Sequence, residues 1–150
     1  MTALEVWIAT LGAAFLSGFV PLVNIETYLV GAAALVPGCP PLVVVAAAAL
    51  GQMAAKTVLF LGGRGLVTLP SGHGERARAA ASRLVARRRS GPALVFTSAL
   101  TGLPPFYVVS VAAGMLRFRT GSFLVAGLGG RLLRFSAVFA LPGLLRWAIS

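Results

Sequence analysis

The chain has 150 residues, 58% of them hydrophobic and only 11% charged, where a soluble domain carries roughly 25% charged residues. Thirteen basic and three acidic residues leave a net charge of +10, yet a mean hydropathy of +0.93 does not suit a nucleic-acid binder, whose basic surface must stay solvated. Composition thus argues for an integral membrane protein and against nucleic acid as a partner.

In chain order, the first residues carry Glu5 and no basic run, so they do not read as a cleaved leader, and the apolar segments are expected to stay. A first apolar stretch, 3–36, is broken near its middle at Pro21, followed by Asn24 and Glu26. Cys39 is the lone cysteine, with no intrachain disulfide partner and no Cys/His cluster around it, so neither a metal site nor a cofactor is expected. The second stretch, 41–61, is unbroken and has the roughly 20 residues needed to cross about 30 Å of hydrocarbon. Gly62-Gly63-Arg64-Gly65 reads as a tight exit from it; a phosphate loop would need a Lys-Ser/Thr ending. His73, alone between glycines, opens a linker rich in alanine and arginine, both helix formers. Its Arg76, Arg78, Arg83, Arg87, Arg88 and Arg89 belong on an anionic cytoplasmic leaflet, in contact with the lipid surface. The third stretch, 92–116, is broken at Pro104 and Pro105, and the fourth, 121–149, is again long enough to span.

Proline removes a helical hydrogen bond and clashes with the preceding turn, so a double proline interrupts a helix severely. Each half of a broken stretch, at about ten residues, reaches roughly the bilayer midplane. Both broken stretches therefore read as re-entrant helical hairpins, covered by protein or a water-filled cavity. Charge supports this for the third stretch: if it enters and returns, Arg117 and Arg119 join the cytoplasmic arginines, whereas a full crossing would put them outside. The expected fold is an all-α integral membrane protein, with two re-entrant hairpins and two spanning helices in an inverted repeat joined by a basic cytoplasmic helix. Within a single membrane domain, 1–65 is the first half-repeat, 66–91 the linker and 92–150 the second. Four ordinary spans with proline kinks are the alternative.

Several polar residues stand in apolar surroundings. Glu26 follows the first break, where a charge costs at least about 2.5 kcal/mol unless paired or facing water. It is either functional, or a hairpin-end residue or one end of a structural ion pair, with Lys56, Arg131 and Arg134 as candidate partners. Gln52 and Lys56 share a helix face that Gly51, Ala48 and Ala55 keep slim, although Lys56 also has the option of snorkelling to the interface. Arg131 and Arg134 lie three apart inside the last stretch, after Gly127, Gly129 and Gly130, and need a counter-charge or an anionic ligand unless the span starts late. Too few acids are present to neutralise Arg131, Arg134 and Lys56 together, so a phosphate or anionic headgroup is the expected partner. No Ser/His/Asp set or paired carboxylates suggest catalysis, and no enzyme is expected.

These pieces, in this order, resemble the DedA family, also called the VTT or SNARE-associated domain family, and most nearly its small bacterial branch. The resemblance runs through the acid after the first break (Pro21, Glu26), Gly51-Gln52 leading to Phe60-Leu61-Gly62-Gly63-Arg64-Gly65, Leu103-Pro104-Pro105 with Ala113-Gly114-Met115, and Gly130-Arg131-Leu132-Leu133-Arg134-Phe135. It implies opposed re-entrant hairpins and movement of lipids between leaflets: phospholipid scrambling in eukaryotic relatives, polyprenyl-phosphate recycling or envelope homeostasis in bacteria. Typical bacterial members have an acid where this chain has Gln52, and arginines around the second hairpin's proline where it has Thr101 and Tyr107. Glu26 therefore carries over from the family, and the hairpin arginines do not.

The expected function is a bacterial inner-membrane protein moving anionic lipid headgroups between leaflets. Glu26 lines or gates a groove, Lys56, Arg131 and Arg134 attract phosphate, and the breaks at Pro21, Pro104 and Pro105 expose backbone amides. The alternatives are a non-transporting scaffold or assembly subunit and an ion- or proton-coupled carrier of small solutes. With few helices to shield two broken hairpins, a homodimer is also anticipated.

Overall fold

The computed structural model describes residues 2–20, 24–35, 38, 40–66, 75, 79, 83 and 91–149. Among these are six helices and no strand: α1 (Ala3–Phe19), α2 (Ile25–Leu35), α3 (Pro41–Gly63), α4 (Gly91–Thr101), α5 (Phe106–Met115) and α6 (Thr120–Ile149). Pro21, Cys39, His73, Arg76, Arg78, Arg87, Arg88 and Arg89 lie outside the described residues, whereas Glu75, Ala79 and Arg83 are helical and exposed.

Local chemistry sets the helix ends. Thr2 and Glu5 form a capping box, with the Thr2 hydroxyl accepting the Glu5 N–H at 3.3 Å and the Glu5 carboxylate accepting the Thr2 N–H at 2.7 Å. The helix stops at Val20, extended as a residue before proline prefers to be. At the next start the Asn24 side-chain oxygen accepts the Glu26 N–H at 2.9 Å, and the Glu26 carboxylate falls in the first turn, where the helix dipole favours it. Two helices end in the same paired-bond motif. After α3 the N–H of Leu66 reaches Leu61 O at 3.0 Å and that of Gly65 reaches Gly62 O at 2.9 Å; after α5, Phe118 reaches Ala113 O at 3.0 Å and Arg117 reaches Gly114 O at 2.9 Å. The left-handed position is Gly65 (φ 79°) in the first and Arg117 (φ 54°) in the second.

By length and composition, α3 (23 residues, about 35 Å) and α6 (30 residues, about 45 Å) can each cross a membrane. The α2, α4 and α5 helices, of 11, 11 and 10 residues, are about half that reach. Here the sequence expectation needs one correction, because α1 has 17 residues, not about ten. The first break lies off-centre, since nothing between Ala3 and Phe19 interrupts a helix.

The chain forms two compact units, Met1–Gln52 with Arg131–Ser150, and Met53–Gly130. In the first, α1 packs on α2, and α3 approaches α1 so closely at Gly51 that a Cβ there would overlap the Leu11 carbonyl oxygen. In the second, α4 packs on α5 around a core of Met53, Phe60, Val95, Ala99, Phe106, Val109, Ala113 and Phe123, with the Phe60 and Phe123 rings stacked at 4.4 Å. Two glycines let α3 and α5 touch backbone to backbone: a Cβ at Gly63 would overlap the Val111 carbonyl, and one at Gly114 the Phe60 carbonyl. The same device seats α6 on α4, where a Cβ at Gly130 would come within 2.7 Å of the Phe96 carbonyl oxygen. The outer ends of α4 and α5 also meet, because a Cβ at Gly91 would lie 2.6 Å from the Phe118 ring.

Candidate functional site

In the first unit the break after α1 delivers Glu26 to the middle of α6, whose midpoint falls between Arg134 and Phe135. The Arg134 guanidinium forms an ion pair with Oε1 of Glu26, its Nε donating at 2.5 Å. The two side chains are 22% and 31% exposed, so the pair is partly open. Arg131 lies one turn earlier on the same helix, is only 7% exposed, and is within electrostatic reach of both Arg134 and Glu26. Its guanidinium stands over the Phe135 ring at 5.7 Å, a contact that offsets part of the cost of burying the charge. The cluster thus places two guanidinium groups against one carboxylate, a net charge of +1 at the centre of a 30-residue apolar helix.

In the same unit, α1 carries buried Thr10 and Ser17 seven residues apart on one face. Thr10 and the Tyr28 hydroxyl lie 3.0 Å apart. The Gln52 amide donates to the Ser17 hydroxyl at 2.7 Å, and Ser17 donates to the Ala14 carbonyl at 2.9 Å. Gln52 is 6% exposed, and its Oε1 has no hydrogen-bond partner among the described residues.

Lys56 belongs to the second unit and is 6% exposed, so its amine is held inside and does not snorkel to the surface. At the end of α3, Arg64 lies over the Phe60 ring at 4.7 Å and donates to the Phe118 carbonyl, tying the ends of α3 and α5 together. At the other end of the α4–α5 pair, Gly102 (φ 81°) caps α4 through its N–H to Ser98 O at 2.8 Å, and the Ser98 hydroxyl donates to Pro104 O at 2.5 Å. Thr101, Leu103, Pro104 and Pro105 are exposed there.

Of the residues singled out from sequence, Glu26, Arg131 and Arg134 come together. Arg83 is exposed. Sequence reasoning took Arg64 only as part of a turn and passed over Thr10, Ser17 and Tyr28, because a hydroxyl in an apolar helix carries no mark of its distant partner. Among the described residues no group of His, Cys, Asp and Glu is placed to hold a metal ion. No family model matches the chain, and no curated protein or solved structure matches it significantly.

Proposed function

We propose that this is a DedA/VTT-like protein of the bacterial inner membrane, which moves anionic lipid headgroups, phospholipid or polyprenyl-phosphate, between leaflets. The observation that carries the reading is the Glu26–Arg134 pair with Arg131 beside it at the midpoint of α6. A charge at that depth is costly and is retained where a substrate passes. A net positive, partly open cluster offers a migrating phosphate a planar guanidinium while Glu26 competes for it, which favours transient over tight binding.

On this reading the breaks are the tips of re-entrant hairpins, the two halves form an inverted repeat, and the basic linker is cytoplasmic. What supports the hairpin reading is the meeting of Gly91, Arg64 and Phe118 at one end of the second unit, so that α4 and α5 leave and return to the same level. The second half of α4 meets α6 at Gly130, against Phe96, Ala99 and Leu100; Gly130 lies ten residues or about 15 Å from the start of α6, half the hydrocarbon thickness. The protein is read as non-enzymatic, with anionic membrane lipids as its partners and a homodimer as its assembly.

The test is headgroup translocation by purified protein in liposomes, with fluorescent anionic and zwitterionic lipids. Arg131→Leu should slow movement of anionic lipid roughly tenfold or more, the equivalent of one charged hydrogen bond lost at the barrier. Unchanged movement in a folded variant would sink the role.

A non-transporting scaffold is favoured by one observation, the internal pairing of Glu26 with Arg134. Its partner would have to dock away from Gly51 and Gly127, which Ala14 and Met53 already cover. It predicts a partner protein that persists through gentle solubilisation and no lipid movement.

A further inference from the structure

Apart from the charge cluster, the first unit carries a groove of about 550 Å³ walled by Ala33 of α2, Pro41 and Val45 of α3, and Phe139, Gly143 and Arg146 of α6. That volume lies within the roughly 300–1,000 Å³ of ligand pockets. Among the described residues, Ser136 and Arg146 are its only polar side chains, and the rest of the lining is apolar. At Gly143 the wall is open, because a Cβ there would meet no atom within 4 Å. Arg146 spends its Nε on the Pro142 carbonyl of its own helix at 3.3 Å; it is exposed, and no carboxylate pairs with it among the described residues.

The position of Arg146 along α6 sets the occupant. It lies 26 residues beyond Thr120, about 39 Å along the axis, past the roughly 30 Å of hydrocarbon and at headgroup level. Trp147, beside it, is 81% exposed, as suits a residue of the interfacial aromatic belt. An apolar trough ending in an exposed guanidinium at headgroup depth matches a molecule with a hydrocarbon tail and an anionic head.

We infer that this groove holds one acyl chain of an anionic phospholipid from the leaflet opposite the basic linker, its phosphate seated on Arg146. The site is a resident one, separate from the Glu26–Arg134 cluster. It rests on α6 spanning the membrane and, for the leaflet, on the hairpin reading of the third stretch, and not on the transport reading.

The test is native mass spectrometry of the purified full chain in detergent, with added phosphatidylglycerol or phosphatidylcholine. The wild-type chain should retain one phosphatidylglycerol about fivefold more tightly than phosphatidylcholine, the preference one interfacial arginine confers. Gly143→Leu, which fills the trough, should lose both adducts. Arg146→Gln should keep the phosphatidylcholine adduct and lose the preference. Melting in detergent checks that each variant is folded, and Ala140→Leu, at another lining residue of the groove, fills it if Gly143→Leu does not fold. Equal retention of the two lipids by the wild-type chain, or undiminished phosphatidylglycerol binding by a folded Gly143→Leu, overturns the inference. Glu26→Gln separates the two proposals: loss of translocation with the adduct intact bears on transport alone, and loss of the groove adduct with translocation intact overturns the groove alone.

Discussion

Glu26 is the only acid in a cluster with two arginines, so its removal and the removal of an arginine are not equivalent. Arg134→Leu leaves Glu26 with Arg131 still in reach, a balanced pair, and should cost about 1 kcal/mol or less. Glu26→Leu removes the one carboxylate and leaves two guanidinium groups within electrostatic reach of each other at the centre of α6, and should cost about 3 kcal/mol, in the range for an intramembrane pair that loses one partner. Thermal unfolding in detergent micelles measures both, and the reverse order would mean that the arginines are balanced elsewhere. These charges were legible in the sequence because an ionised side chain in an apolar run has few structural excuses. The pairing was not, since Glu26 and Arg134 are 108 residues apart and the sequence offered Lys56 and Arg131 equally. The Gln52–Ser17 bond was illegible for a related reason: hydroxyls bond cheaply to their own helix, as Thr57 does to Met53 O, so their spacing carries no long-range signal.

At the scale of helices, proline and glycine did the punctuating, and the breaks could be read because proline acts on the residues next to it. Where helices touch could not be read, because 18 glycines look alike in sequence and only some meet a neighbouring backbone. Gly114 and Gly121 show the difference. Gly114 lies against the Phe60 carbonyl, while a Cβ at Gly121 would meet nothing within 4 Å. Gly114→Ala must push α5 off α3 and should destabilise by about 2 kcal/mol, the cost of overpacking a contact that cannot relax. Gly121→Ala adds helix propensity in the first turn of α6 and should be neutral or gain up to about 1 kcal/mol. Comparing the two melting midpoints isolates the backbone crossing from the general effect of replacing glycine. Equal effects would mean that the α3–α5 contact contributes little.

For the whole molecule the proposed topology makes a prediction of parity, namely how many times the chain passes through the bilayer between the linker and the start of α6. Helices α4 and α5 with their break cover 91–115, a stretch long enough to cross once if laid end to end and short enough to reach the midplane if folded back. The contact of Gly91 with the Phe118 ring favours the folded-back arrangement, in which the two ends share a level. Arg83 and Arg119 are both exposed and flank this stretch, so they report the parity directly. In a Cys39→Ser background, Arg83→Cys and Arg119→Cys should react with a membrane-impermeant maleimide from the same side, and Ile149→Cys, the last residue of α6, from the other. Labelling of Arg119→Cys from the side opposite Arg83→Cys would make the third stretch a full crossing. It would also turn the second half of the chain over relative to its charges, and with it the leaflet assigned to Arg146.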